Sequence, residues 1–200
     1  MSEKPVILTK SAPVSLRKAQ VKDGSFSIFT LWRRAPFFGY SDLDLITMWE
    51  DRLGNKGVIQ PLGKAFGAFN ELPYMLQDGD DRRGGKGERL TGNTPMVLSR
   101  LRRICVGLDN YDSRRSLGRV KGATTTFELP GLAPMVVEHS GLTTSVCSIM
   151  QIHISPTGEL RVENDLVPLE YGRRARFASP QQALAGHWGF RFNWNSTRKD

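Results

Sequence analysis

The sequence lacks any apolar segment long enough to cross a membrane, and its N-terminus lacks the apolar core of a signal peptide. Cysteine is scarce: only Cys105 and Cys147 are present, and neither has the CxxC spacing of a zinc or redox motif. Each lies among apolar residues, so we expect both to be buried. A disulfide between them is possible, but the missing secretion signal argues against it. These absences predict a cytoplasmic protein.

Catalytic motifs are also missing. The histidines His139, His153 and His187 are isolated, with no HExxH spacing, and no GxSxG motif is present. Cys105 would be a nucleophile only if one of these histidines approached it in space. The segment DGDDRRGGKGE resembles a phosphate-binding loop but lacks its glycine, its Ser or Thr and a following helix, which excludes that function. We therefore expect a protein that is not an enzyme.

Positive charge is in excess. The chain has 28 Lys and Arg against 20 Asp and Glu, which gives a net charge of +8. Such a surface attracts polyanions or acidic faces of other proteins, although a solubilising surface without a partner is an equal alternative. Arginine doublets recur along the chain without forming a continuous block: Arg33-Arg34, Arg82-Arg83, Arg102-Arg103, Arg114-Arg115 and Arg173-Arg174.

Short strands separated by turn residues dominate the pattern. This rhythm predicts an all-β, two-sheet β-sandwich with one or two short helices, formed as one domain over residues 1–200. The predicted strands are Val6–Leu8, Val14–Leu16, Ser25–Trp32, Asp42–Trp49, Tyr74–Leu76, Arg103–Leu108, Thr124–Leu129, Met135–Glu138, Val146–Ile154, Glu159–Val162 and Gly189–Trp194.

Two segments carry helix signals. The better one begins with Ser179 as cap and Pro180 at the first helical position, and Gly186 can end it. The second covers Pro95 to Leu101. After the first helix, the alternating Trp188, Phe190, Phe192 and Trp194 predict the buried face of a terminal strand.

Two acidic clusters are the strongest local signal for chemistry. Asp42 and Asp44 alternate along a predicted strand, so their side chains leave the same face about 6.8 Å apart. Carboxylates and loop carbonyls are ligands that calcium prefers, whereas zinc would require Cys or His. The second cluster lies in a glycine-rich loop and consists of Asp78, Asp80, Asp81 and Glu88. Arginines within this loop could equally neutralise the acids without a metal, so the spacing alone does not distinguish a metal site from a metal-free loop.

Several segments, in the same order, resemble the tellurium-resistance TerD family. The opening VILTKSAPVSL, the DLDL strand and the loop YMLQDGDDRRGGKGERL are similar to motifs of that family. The stretch RICVGLDNYDSRRSLGRVKGATTTFEL follows the same order, including Asp109 and the turn Gly118-x-Val120, and Gly-Glu-Leu at Gly158 resembles part of a late hairpin. Together these segments cover about two-thirds of the chain.

The resemblance implies a non-enzymatic β-sandwich in which calcium ties loops together, in a bacterial or phage stress response that includes tellurite resistance. By position, it implies that Asp42 and Asp44 are calcium ligands from the strand. It implies that Asp80, Asp81 and Glu88 are ligands from the loop, with Asp78 as a further candidate.

Two features differ from the family. The loop carries Gly84-Gly85-Lys86-Gly87 where the family has a dense acidic run, and the chain as a whole is basic. Because calcium affinity depends on ligand charge, one site could be weakened. The alternative is a basic interaction or assembly subunit that keeps the fold without the metal and binds nucleic acid or an acidic protein partner.

Overall fold

The computed structural model describes residues 4–9, 12–33, 41–82, 85–111, 116–172 and 175–193. It forms two β-sheets, of seven and six strands, which confirms the predicted all-β sandwich. The strands are β1 (Val6–Ile7), β2 (Val14–Leu16), β3 (Ser25–Leu31), β4 (Leu43–Asp51), β5 (Lys56–Ile59), β6 (Gly67–Ala68), β7 (Met75–Gln77), β8 (Glu88–Asn93), β9 (Leu101–Asn110), β10 (Thr124–Glu128), β11 (Met135–Glu138), β12 (Val146–Ile154) and β13 (Leu160–Leu169).

The strand order is β1-β11-β10-β3-β8-β7-β6 in one sheet and β2-β13-β12-β9-β4-β5 in the other. Two α-helices, α1 (Thr94–Arg100) and α2 (Pro180–Trp188), complete the structure, together with short 3₁₀ turns at Lys18–Gln20, Leu62–Lys64 and Leu117–Arg119. No helix among these described segments is long and apolar enough to span a bilayer.

The main core lies between the two sheets and depends on the alternation of side chains along each strand. In β3, Phe26 and Ile28 are buried, and Phe26 meets Phe127 of β10 edge to face, with ring centroids 5.6 Å apart. Such a pair contributes about 0.5–1.5 kcal/mol beyond the area it buries. Cys147 belongs to the same core and Cys105 to a second cluster, and both are free thiols, as expected.

Strand β4 is buried along its whole length because both of its faces are covered. Leu43 and Leu45 enter the core between the sheets, whereas Ile46 and Met48 pack with Leu184 and other residues of α2 in the second cluster. A strand covered on both sides holds its residues in a fixed register. The acidic residues at its N-terminal end are therefore placed on a rigid element.

Helix α2 begins as predicted and runs two residues further. The Ser179 hydroxyl accepts a hydrogen bond from Gln182 N, and Gly189 ends the helix in the left-handed conformation at φ 70°. The predicted terminal strand is wrong over residues 189–193, which form no strand. The rings of Phe190 and Phe192 instead stack, with their centroids 5.6 Å apart, and the guanidinium group of Arg103 lies over the Phe190 ring.

Three strands were not predicted, namely β5, β6 and β8. Of these, β8 pairs with β3 and β7 inside the seven-stranded sheet, although its sequence ERLTGN has only one large apolar residue. Its partners, not its own propensity, determine its conformation.

Helix α1 confirms the second predicted helix. Several predicted features fall wholly or partly outside the described residues: Arg34, Arg83, Gly84, Arg114, Arg115, Arg173, Arg174 and Trp194.

The buried His139 should make the stability of the protein depend on pH. Its Nε2 lies 2.9 Å from the Thr125 hydroxyl, and burial lowers its pKa from 6.5 to about 4. In the unfolded chain the ring takes up a proton as the pH falls below 6.5, whereas the folded protein resists this down to about pH 4. We expect stability to fall by about 3 kcal/mol across this window.

Urea unfolding at pH 7 and pH 4.5 would measure the loss, and His139→Gln, which keeps a polar partner for Thr125, is the matched variant. The variant should lose distinctly less stability on acidification. An identical pH dependence in the two proteins would contradict the assignment to His139.

Candidate metal centre

The acidic residues of β4 and β9 come together through strand pairing. Asp44 and Asp109 are direct partners in the antiparallel ladder, so their side chains leave the sheet on the same side. Asp42 is two residues before Asp44, and its carbonyl accepts a hydrogen bond from Tyr111 N, which continues the ladder. All three aspartates are buried, with at most 8% of their surface exposed.

The glycine-rich loop brings a further carboxylate to this place. Asp80 is exposed, and it joins Asp42 and Asp44 in a group whose ligand oxygens lie within 4.8 Å of one another. Two oxygens bound on opposite sides of one calcium ion, at about 2.4 Å each, would be about 4.8 Å apart. The three carboxylates are therefore close enough to coordinate a single ion.

The cluster gathers several carboxylates in one largely buried place, where their charges act on one another. The pKa of Asp44 is raised from 3.8 to about 8, mainly by burial and in addition by the charges of Asp42, Asp109 and Asp80, while Arg82 acts in the opposite direction. Burying several carboxylates is costly unless a cation accompanies them or they take up protons. A divalent cation bound here would balance these negative charges.

Glu88 connects the two sheets beside the cluster. Its Oε2 accepts hydrogen bonds from Leu45 N at 2.6 Å and from Gln77 Nε2 at 3.0 Å. The pKa of Glu88 is raised to about 9: burial is the largest cause, the Leu45 hydrogen bond opposes it, and the charges of Asp44 and Asp80 add to it. With one oxygen engaged by both sheets, Glu88 fixes the position of the loop relative to β4.

The remaining predicted ligands, Asp78 and Asp81, turn their carboxylates to the backbone. Asp78 Oδ1 accepts from Arg89 N at 2.9 Å, which extends the pairing at the start of β8. Asp81 Oδ2 accepts from Lys86 N at 3.0 Å and from Gly87 N at 2.7 Å, which closes the loop. These bonds give both residues a role in shaping the loop, and the structure does not group either of them with the three carboxylates.

An arginine also approaches the cluster. Arg82 Nε lies 2.9 Å from Asp80 Oδ2, and the Arg82 side chain is 75% exposed. An ion pair this exposed is weak, because water screens it and ordering a long side chain is costly. The Arg82 side chain can therefore leave Asp80 when a divalent cation binds.

Asp109 is the acidic residue that the spacing of the sequence did not reveal as a candidate ligand. It is 1% exposed and faces Asp44, yet it lies 65 positions further along the chain. The sequence did contain a hint that Asp109 is a candidate ligand, because Asp109 ends an apolar segment just as Asp44 begins one. The antiparallel pairing of β4 with β9 turns that pattern into a contact.

Comparisons with known proteins agree with this architecture. No protein-family model matches the chain. The chain is 27% identical to tellurium resistance protein TerA from Alcaligenes sp. over an alignment of 211 positions, gaps included, and the alignment covers 97% of this chain. It spans 58% of the length of that relative.

Two solved structures share the fold. One is SAV2460, a protein of unknown function, with a TM-score of 0.55 and 16% identity over 73% of this chain and 89% of that one. The other is SCO6318 from Streptomyces coelicolor A3(2), described as a homologue of the telluride resistance protein TerD. Its TM-score is 0.52 at 12% identity, over 74% of this chain and 90% of that one. The likeness to TerA in sequence and to a TerD homologue in fold confirms the predicted resemblance to the tellurium-resistance TerD family.

Proposed function

We propose that this chain is a calcium-binding, non-enzymatic module that supports tellurite or general stress resistance by binding a partner in the cytoplasm. The observation that carries the proposal is the group formed by the buried Asp42 and Asp44 and the exposed Asp80, with the buried Asp109 beside Asp44. Oxygen ligands alone, from carboxylates on one strand and one loop, match calcium chemistry and not that of zinc. Bound calcium would join β4 to the loop that leads into β8.

The nucleophiles and bases give little support to catalysis. Burial raises the pKa of Cys105 to about 12 and raises that of Cys147 as well, so both thiols are inert at neutral pH. His139 is buried, and His187 contacts Asp165, which also accepts hydrogen bonds that fix helix α2. This arrangement favours a protein that acts by binding.

Isothermal titration calorimetry with calcium tests the proposal. We expect saturable binding to the unmodified protein and loss of binding in Asp80→Ala, because one of three close ligands is removed. Arg82→Gln is the matched variant: it removes the cation that competes for Asp80 and should increase calcium affinity several-fold.

A second candidate function follows from the same ion pair. Arg82 already supplies a cation to Asp80. The chain could therefore be a metal-free assembly subunit whose basic surface binds nucleic acid or an acidic protein. The absence of calcium binding in both the unmodified protein and Arg82→Gln would exclude the calcium proposal and favour this alternative.

A further inference from the structure

A basic groove lies at one end of the six-stranded sheet, away from the acidic cluster. It is formed where β2, β12 and β13 reach the edge of the sandwich and has a volume of about 1060 Å³. Pockets for small molecules commonly measure about 300–1000 Å³, so the groove has room for a ligand of nucleotide size. None of the comparisons assigns a role to it.

Positive charge strongly outweighs negative charge in the lining of the groove. Four arginines line it, namely Arg17, Arg52, Arg102 and Arg161, against one carboxylate, Glu159. Cations gathered in one concave surface create a local potential that draws in anions. The net charge of +8 of the whole chain is therefore partly concentrated here.

Arg52 is held rigidly within this groove. Its Nη2 donates to the carbonyls of Leu98 at 3.1 Å and Ser155 at 2.6 Å, and its Nε donates to Ser99 O at 3.0 Å. Within the described part of the chain it forms no ion pair with a carboxylate. A fixed guanidinium whose charge is not neutralised by an acid is pre-organised to face an anion.

Nearby acids compensate the other arginines only weakly. Glu50 lies 3.5 Å from Arg102, but it is also 2.7 Å from Arg103 and 3.7 Å from Lys56, so one negative charge serves three cations. Arg161 pairs with Glu163 at 2.9 Å, although its side chain is 60% exposed. Surface pairs of this kind are worth about 1 kcal/mol or less and exchange readily for a better anion.

His153 also lines the groove and lies in the positive potential of its arginines. It is the direct cross-strand partner of Arg161 on one side and of Arg103 on the other. Burial lowers its pKa; Glu163 opposes this, and the charges of Arg103, Arg161 and Arg102 lower the pKa further. A neutral imidazole in this place can donate or accept a hydrogen bond.

The rest of the lining indicates what else the ligand carries. Leu16, Ile154 and Leu160 are buried and give the groove an apolar floor, while Ser15 and Gln20 add polar groups at its side. Among the residues that the structure describes, no aromatic side chain lines the groove, so these residues offer no platform for stacking successive nucleic-acid bases. Guanidinium groups match phosphate through paired hydrogen bonds.

We propose that this groove binds a small organic phosphate with adjacent phosphate groups, of the size and chemistry of a nucleoside triphosphate. Arg17, Arg102 and Arg161 contact the phosphates, Arg52 holds a fixed positive charge behind them, and the organic part rests on the apolar floor. This site is separate from the acidic cluster and does not depend on calcium.

Calorimetric titration in EDTA tests the proposal without any contribution from a metal. The probes are ATP, inorganic triphosphate, adenosine and a short single-stranded oligonucleotide. We expect ATP to bind more tightly than triphosphate and adenosine not to bind. The double variant Arg17→Ala with Arg161→Ala should lose at least about tenfold in ATP affinity, since two charge-assisted contacts are removed.

Arg119→Ala is the matched control, because Arg119 is an exposed arginine outside the groove. It should change ATP affinity by no more than about twofold, whereas an equal loss would show a diffuse surface effect and overturn the proposal. ATP binding weaker than about 1 mM would also overturn it. So would an oligonucleotide that binds through Arg17 and Arg161 when ATP does not. Circular dichroism confirms that each variant is folded.

Discussion

Replacing Asp44 with asparagine should stabilise the calcium-free protein and abolish its stabilisation by calcium. Asparagine has nearly the same shape but no charge, so it relieves the repulsion among buried carboxylates. Because the folded-state pKa of Asp44 is about 8 against an ordinary 3.8, the calcium-free protein loses stability as the pH rises through that window. Asp44→Asn removes this loss.

Thermal melting at pH 8.5 measures both effects. In EDTA we expect Asp44→Asn to gain about 2 kcal/mol, or roughly 4–8 °C in melting temperature. With calcium at about a hundred times its dissociation constant, the unmodified protein should gain about 2.7 kcal/mol and the variant almost nothing.

Asp78→Asn is the matched control for Asp44→Asn. Asp78 belongs to the same acidic sequence signal, but its carboxylate hydrogen-bonds to Arg89 N and lies outside the three-carboxylate group. The calcium response of this variant should equal that of the unmodified protein. If calcium raised the melting temperature of Asp44→Asn as much as that of the unmodified protein, Asp44 would not be a ligand.

Replacing Asp165 with alanine should cost about 3 kcal/mol, because one carboxylate oxygen holds helix α2 against the sheet. Asp165 Oδ2 accepts from Ser148 Oγ at 2.5 Å, Gln151 Nε2 at 2.9 Å and Trp188 Nε1 at 3.1 Å, and His187 Nε2 lies 2.8 Å away. Removing the acceptor leaves these partly buried donors without it, and the second apolar cluster then loosens.

Urea unfolding of Asp165→Ala, read by tryptophan fluorescence, would measure the loss. The control is Glu163→Ala on the same strand, which removes the surface pair with Arg161 and should cost less than about 1 kcal/mol. Equal losses in the two variants would refute the anchoring role of Asp165.

The pH dependence gives an independent test of the same anchor. Burial alone would raise the pKa of Asp165, but the hydrogen bonds from His187, Ser148 and Gln151 and the charge of His187 outweigh it and lower the pKa. A lowered folded-state pKa means that the contribution is complete above the ordinary pKa of 3.8 and is lost as the pH falls further. Asp165→Ala should lack this acid-sensitive component.

Particular elements show where sequence reasoning succeeded. Strands β2, β11 and β12 have the predicted bounds, because alternation and neighbouring turn residues define a strand locally. The same alternation was misleading after α2, where Phe190 and Phe192 stack without forming a strand. Aromatic residues that alternate satisfy a strand pattern and a packed extended segment equally well.

In the candidate metal site, too, some residues could be predicted from the sequence and others could not. Asp42, Asp44 and Asp80 were predicted from spacing and resemblance, and the structure places their oxygens together. Whether Asp78 and Asp81 point to a cation or to the backbone could not be read from the sequence, because loop dihedral angles determine it. Asp109 required knowledge of which strand pairs with β4.

The sequence by itself determined the strand-rich pattern, the buried cysteines, the excess of positive charge and the acidic residues that could hold a cation. These properties follow from composition and from side-chain period, which act over a few residues. Only the tertiary structure decided that β4 pairs with β9, that Arg82 reaches Asp80, and that four arginines line one groove. Such contacts join positions far apart in the chain, and the packing of two sheets sets them.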